Sequence, residues 1–227
     1  MLHQLFINDQ IPFRRNGLLQ GLIISYVIFW VWMSIEPYNS FGWWLENLLI
    51  FAAGVTLLVT YRGFHFTNLS YLQIVLFLAL HTFGAHYSYN TNPVDKLIHS
   101  LFEFPRDEYD RVVHFCYGLL IAYPIRELII RLMKPSGSWA YFLAPMLVLA
   151  SGAFYELIEM WTAFIVAPDI GTLFLGTQGD PWDAQHDMAV ALYGSIIAMI
   201  VTAVVKVMTN KPVVARQPKE QRRTEAL

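Results

Sequence analysis

Charge is scarce in this chain. Only 14% of its 227 residues are Asp, Glu, Lys or Arg, against roughly 25% in a soluble domain. That shortfall excludes an ordinary soluble domain. The net charge of −2 leaves no basic field of the kind a nucleic-acid binder presents. There is one cysteine, Cys116, inside an apolar run, so no intramolecular disulfide can form. No Gly-x-Ser-x-Gly nucleophile motif and no His-Glu-x-x-His zinc motif occur. No internal repeat and no second soluble domain stand out. Nor is the N-terminal stretch expected to be a cleavable signal. The first apolar run starts only after Arg14-Arg15 and continues through Trp30 and Trp32 without a small-residue cleavage site, so it is expected to be a retained span.

What the chain has instead is apolar length. Hydrophobic residues make up 56%, with a mean hydropathy of +0.44. A spanning helix needs about 20 mostly apolar residues. Six runs qualify: Leu18–Ile35, Trp43–Tyr61, Ser70–Tyr87, Tyr109–Met133, Trp139–Val166 and Asp183–Met208. Asn68 or Ser70 can cap the third. The fifth is long enough to tilt, or to break near Pro145 or Gly152. Trp and Tyr gather near the ends of the runs, as interfacial belts require. Two loops, Ser88–Glu108 and Ala167–Trp182, can hold an interfacial or re-entrant segment. The expected fold is an all-α membrane protein, with about six transmembrane helices in one bundle over residues 1–208. Residues 209–227 form a basic tail, expected to be disordered.

Lys and Arg alternate in the loops. Arg14 and Arg15, Arg62, Arg131 and Lys134, then Lys211, Arg216, Lys219, Arg222 and Arg223 fall on one side. Only Lys96 and Arg106 fall in the opposite loops, with Arg111 at the edge of the fourth run. The positive-inside rule then predicts cytoplasmic N- and C-termini and an inner-membrane location.

This topology brings ionisable residues of four spans to the outer half of the bilayer. They are His81 and His86 in the third, Asp110, Arg111 and His114 in the fourth, Glu156 and Glu159 in the fifth, and Asp183, His186 and Asp187 in the sixth. Charge inside a membrane is costly unless it caps, pairs, binds or reacts. Asp110 and His114, Glu156 and Glu159, and Asp183 and Asp187 are each spaced to share a helix face. Asp180-Pro181-x-Asp183 has the form of a helix start: acid cap, proline in the first turn, acid behind it. Asp107 and Glu108 fit caps or solvated loop charges, and Arg111 fits a bridge to Glu156 or Glu159. His81 and His86 fit hydrogen-bonded packing residues as well as ligands. Arg126 and Glu127 fit snorkelling or pairing near the cytoplasmic face.

Three motif segments carry a resemblance: Tyr109-Asp110-Arg111-Val112-Val113-His114-Phe115 with Tyr117-Gly118, Gly152-Ala153-Phe154-Tyr155-Glu156-Leu157-Ile158-Glu159, and Gly179-Asp180-Pro181-Trp182-Asp183 with Asp187. In these the chain resembles the YjdF-type family of bacterial inner-membrane proteins. The resemblance covers nearly the whole membrane portion and implies a small multi-pass inner-membrane protein, without supplying a reaction. More distantly the plan resembles VanZ-like membrane proteins, although Asp187 is followed here by Ala191-Leu192-Tyr193-Gly194, without the Asn of that pattern.

Different classes of function fit these residues. In one, a divalent metal held by residues among Asp110, His114, Glu156, Asp183 and Asp187 serves a hydrolase or transferase that acts on a lipid-linked or envelope intermediate. Glu156 or Glu159 would be its general base, His114 a proton exchanger, and Arg111 a grip on phosphate or carboxylate. In another, the same groups relay protons or cations in a small transporter or ion-coupled carrier. In a third, the charges only pair internally within an accessory subunit. Membrane lipids are the expected partners, and nucleic acid is not.

Overall fold

The computed structural model of the protein describes residues 11–89, 92–102, 106–135, 138–166, 171, 175 and 177–209. Among these it is all helical, with a short 3-10 turn at Phe13–Arg15 and seven α-helices. They are α1 (Gly17–Met33), α2 (Ser40–Thr60), α3 (Asn68–Tyr87), α4 (Pro93–Leu101), α5 (Tyr109–Met133), α6 (Trp139–Ile165) and α7 (Asp183–Thr209). Five of them, α2, α3, α5, α6 and α7, are long and apolar enough to cross a membrane, and α1 is a shorter apolar helix. At 1.5 Å per residue, α1 is about 25 Å long, slightly short of a ~30 Å hydrocarbon core. The fifth expected run does not break: α6 continues through Pro145 and Gly152. Of the expected tail, the part beyond Thr209 lies outside the described residues.

Side-chain caps set where the helices begin. Asn16 accepts the N–H of Leu19 at 3.2 Å at the start of α1 and donates to Asn68 Oδ1 at 2.7 Å, tying α1 to α3. Asn39 caps α2 by accepting Gly42 N–H at 2.7 Å. At the start of α3, Glu127 of α5 does more than snorkel. It is buried and accepts from Thr67 N (2.9 Å), Thr67 Oγ1 (2.9 Å), Ser70 Oγ (2.5 Å) and Arg131 (2.8 Å). A carboxylate there satisfies otherwise orphaned donors and meets the positive end of the helix dipole. Arg126 lies over the Tyr141 ring at 4.1 Å, in a cation–π contact.

The loop Ser88–Glu108 contains the amphipathic helix α4, capped by Asn92 with Pro93 in its first turn. Its Asp95, only 2% exposed, accepts the N–H groups of Glu108 (2.7 Å) and Tyr109 (2.9 Å). The α5 cap is therefore supplied from α4, rather than by Asp107 or Glu108 as the local sequence suggests. Asp107 instead contacts His99 at 3.0 Å.

In the bundle, α5 packs on α3, α6 and α7; α3 also holds α1 and α2. The most extensive pairing, α5 with α7, depends on two glycines. A Cβ at Gly118 would collide with Ala191 O and lie 2.7 Å from its carbonyl carbon and 2.9 Å from Ser195 N. One at Gly194 would collide with Phe115 O and lie 2.9 Å from Leu119 N. Without side chains at these points the two backbones touch, the small-residue packing that drives helix association in lipid. Outward-facing apolar residues such as Ile24, Ile28, Leu58, Val59, Phe164 and Ile165 are exposed, as a lipid-facing surface requires.

Candidate functional site

The backbone contact of α5 with α7 sets the site. Asp110 and His114 stand one turn apart on α5, with Gly118 one further turn along; Asp187 precedes Ala191 by one turn on α7. The close crossing therefore draws one carboxylate of α7 onto the acid–imidazole pair of α5. One ligand atom each from Asp110, His114 and Asp187 lies within 4.8 Å of the others. Glu156, from α6, approaches from the side: its Oε1 is 3.6 Å from His114 Nε2, as is Asp110 Oδ1.

Burial makes the cluster unusual. Asp187 is 2% exposed and His114 9%. Asp187 Oδ1 and Glu156 Oε1 are buried and have no hydrogen-bond partner among the described residues. Leaving a carboxylate oxygen desolvated and unpaired costs several kcal/mol. Two carboxylates and an imidazole suit a hard or borderline divalent ion.

Of the remaining expected site residues, Glu159 lines the adjoining cavity, whereas Asp183 and Arg111 are engaged elsewhere. Asp183 hydrogen-bonds Arg106 as a buried ion pair, and Arg106 is also 3.6 Å from Asp180. Arg111 meets neither Glu156 nor Glu159. It donates to Asp180 at 2.6 Å, approaches Glu108 at 3.4 Å and lies 3.3 Å from His186 Nδ1. Asp180 also accepts the Trp182 N–H at 2.9 Å and contacts His186 at 2.8 Å. The Trp182 N–H first, and then the His186 bond, hold the Asp180 carboxyl below its usual pKa. These residues form a charged cover above the cluster, joining the segment before α5 to the start of α7. His86 is a packing residue, its Nδ1 2.7 Å from the Met33 carbonyl.

Below the cover is a cavity of about 360 Å³. Its floor is α3 and α5 and its sides are α2 and α6, which flank it without extensive contact with each other. Asp110, His114 and Glu159 line one part. The opposite wall carries residues that the sequence reading passed over. Glu46 of α2, 7% exposed, accepts from Tyr155 OH at 3.2 Å. Tyr89 OH is 2.6 Å from His81 Nδ1, and His81 Nε2 is 3.0 Å from the Glu46 carbonyl. A neutral imidazole protonated on Nε2 satisfies both contacts, accepting from Tyr89 and donating to Glu46 O. The signal for Glu46 was present: it is an acid near the start of an otherwise apolar membrane run. Tyr89 carried none, because its approach to His81 depends on the turn after α3 and on Gly84, where a Cβ would lie 2.6 Å from the Tyr89 ring.

The family described as "Predicted membrane protein (DUF2238)" matches residues 18–207. The Escherichia coli K12 inner membrane protein YjdF is 32% identical over 187 residues, covering 82% of this chain and 89% of that protein. No solved structure matches the chain. The matched span takes in all the apolar helices and every residue of the site, and the chain belongs to this family of multi-pass inner-membrane proteins.

Proposed function

We propose that this protein is a metal-dependent membrane hydrolase or transferase acting on a lipid-linked or envelope intermediate. One observation carries the reading: Asp110, His114 and Asp187 converge from two helices, around a buried Asp187 oxygen that has no hydrogen-bond partner among the described residues. A divalent ion there needs donor atoms about 3 to 3.5 Å apart, which side-chain shifts of less than about 1 Å would achieve from the present spacing. The ion would polarise a phosphoryl or carbonyl oxygen. Glu156 is placed to take the proton of an attacking water or hydroxyl, and that proton returns to the departing oxygen. Arg106 and Arg111 serve in the charged cover, so a direct grip of Arg111 on substrate requires the cover to open. With both termini cytoplasmic, as the Lys and Arg distribution indicates, the site faces the outer half of the bilayer.

A carrier has less support. It needs a polar route to the other side, and Glu127, the buried acid of the inner half, is engaged with Thr67, Ser70 and Arg131. The test is metal content after purification in a neutral detergent. Wild type should hold about one divalent ion per chain, and Asp110→Asn, His114→Ala and Asp187→Asn should each lose most of it. Full retention in Asp187→Asn and His114→Ala would overturn the reading. Glu156→Gln should keep the metal and abolish turnover.

A further inference from the structure

The cavity beside the metal cluster has its own chemistry. Among the described residues no lysine or arginine lines it, whereas Glu46, Asp110 and Glu159 do. Its other walls are rich in rings: Phe77, Tyr89, Tyr117 and Tyr155 all face it. Phe77 and Tyr117 are 5.2 Å apart between centroids, and His81 meets Tyr155 edge-on at 6.5 Å. Acid plus aromatic faces, with no competing lysine or arginine, is a recognition surface for a positively charged group. A phosphate alone would be repelled by such a wall.

Charge accounting within the cavity sharpens this. A divalent ion at the cluster balances Asp110 and Asp187. The Glu46 carboxylate accepts from Tyr155 OH and lies 3.6 Å from His81 Nε2, which is directed at the Glu46 carbonyl; no lysine or arginine pairs with it among the described residues. Arg106 and Arg111 are held at the cover by Asp183 and Asp180. The carboxyls of Glu46 and Glu159 line the cavity where no lysine or arginine does, among the described residues, and a cation brought by a ligand would meet them there.

Shape restricts the ligand further. The cavity lies between α2 and α6, which do not pack closely together, and Leu49 and Ala52 on one side and Phe154 and Ile158 on the other make its flanks apolar. An apolar chain can lie between those helices while its head enters the cavity. We infer that the cavity binds an amphiphile bearing an ammonium group, with the ammonium against Glu46, Glu159 and the Tyr155 and Phe77 rings, and the chain leaving between α2 and α6. This rests on the enzymatic reading and names its substrate class. In a zwitterionic head the ammonium would occupy this wall while the phosphate or ester faced the metal cluster. A cavity of about 360 Å³ has room for such a head.

The test uses the full chain in a neutral detergent, with octyltrimethylammonium, octanol and octyl sulfate as probes and thermal unfolding as the readout. The ammonium probe should stabilise at a concentration about tenfold lower than the neutral or anionic one, the size of a desolvated cation–π and ion contact. Glu46→Gln and Glu159→Gln should each remove most of that preference, and Phe77→Leu should weaken it with every carboxyl retained. In parallel, nanodiscs with phosphatidylethanolamine or phosphatidylglycerol separate the two sources of the head. Selective retention of phosphatidylethanolamine by wild type but not Glu46→Gln identifies a bilayer aminolipid; preference for the single-chain probe alone identifies a freely diffusing amphiphilic amine. Equal response to all three probes, or a preference unchanged in both glutamine variants, overturns the inference. Metal content measured on the same samples keeps the two readings apart. An ammonium preference without metal leaves this one standing and removes the other.

Discussion

Replacing Gly118 by alanine should break the site without touching any site residue. The new methyl would collide with Ala191 O and fall 2.7 Å from the Ala191 carbonyl carbon and 2.9 Å from Ser195 N. All three are backbone atoms of α7, so no side chain can rotate aside. Carbon contacts are comfortable at about 3.5 to 4 Å, so the helices must separate by at least about 1 Å at the crossing. Overpacking of this kind costs about 1–3 kcal/mol. In a chain of this size that lowers the melting temperature by roughly 3–10 °C. Loss at the proposed metal cluster should be larger, because Asp110 and His114 are on one helix and Asp187 is on the other, each within about two turns of the contact. The assay is thermal unfolding in detergent together with bound-metal content, using Gly54→Ala as the control. Gly54 lies on α2 and a Cβ there meets nothing within 4 Å, so that variant should be neutral or slightly stabilising. If Gly118→Ala matched Gly54→Ala in both measurements, α5 and α7 would not touch through their backbones there and that crossing would not hold the site together.

Removing the Glu127 carboxylate with Glu127→Gln should destabilise the fold by about 1–3 kcal/mol, because Thr67, Ser70 and Arg131 all donate to it; chemical unfolding in mixed micelles measures this. Arg106→Ala leaves the buried Asp183 with Arg111 at 3.9 Å as its remaining cation among the described residues, so a loss of about 2–3 kcal/mol is expected, less than for a fully orphaned charge; the same unfolding measurement should also show Arg106→Ala recovering when combined with Asp183→Asn. Asp95→Ala should cost about 1–2 kcal/mol and fray the start of α5, read as faster amide exchange at Glu108 and Tyr109. Asp180 has its folded pKa below the ordinary 3.8, held by the Trp182 N–H and then His186. Its contribution is therefore complete above that value and fades as pH falls through the lowered one; exposure of Trp182 to an aqueous quencher should rise only in that acidic window.

The helices were legible because the bilayer imposes a long apolar run on each span, and a polar or capping residue marks most ends. Residues Leu18–Ile35 and Asp183–Met208, read as runs, correspond to Gly17–Met33 and Asp183–Thr209 as helices. The convergence of Asp110, His114, Glu156 and Asp187 was legible for a related reason: intramembrane charge is rare enough to draw notice, and spacing of three or four puts it on one helix face. Which partner each charge takes was not legible. Asp183 and Asp187 share a face and one residue type, yet Asp183 pairs with Arg106 whereas Asp187 turns to Asp110 and His114. That division depends on how far the segment before α5 reaches toward α7, a distance no local spacing encodes. Glu46 joins Tyr155 from 109 residues away. By itself the amino-acid order determined that the chain enters a membrane as apolar helices carrying a few costly charges. Tertiary structure decided which charges meet, because the glycine contact of α5 with α7 and the gap between α2 and α6 arise only when whole helices pack.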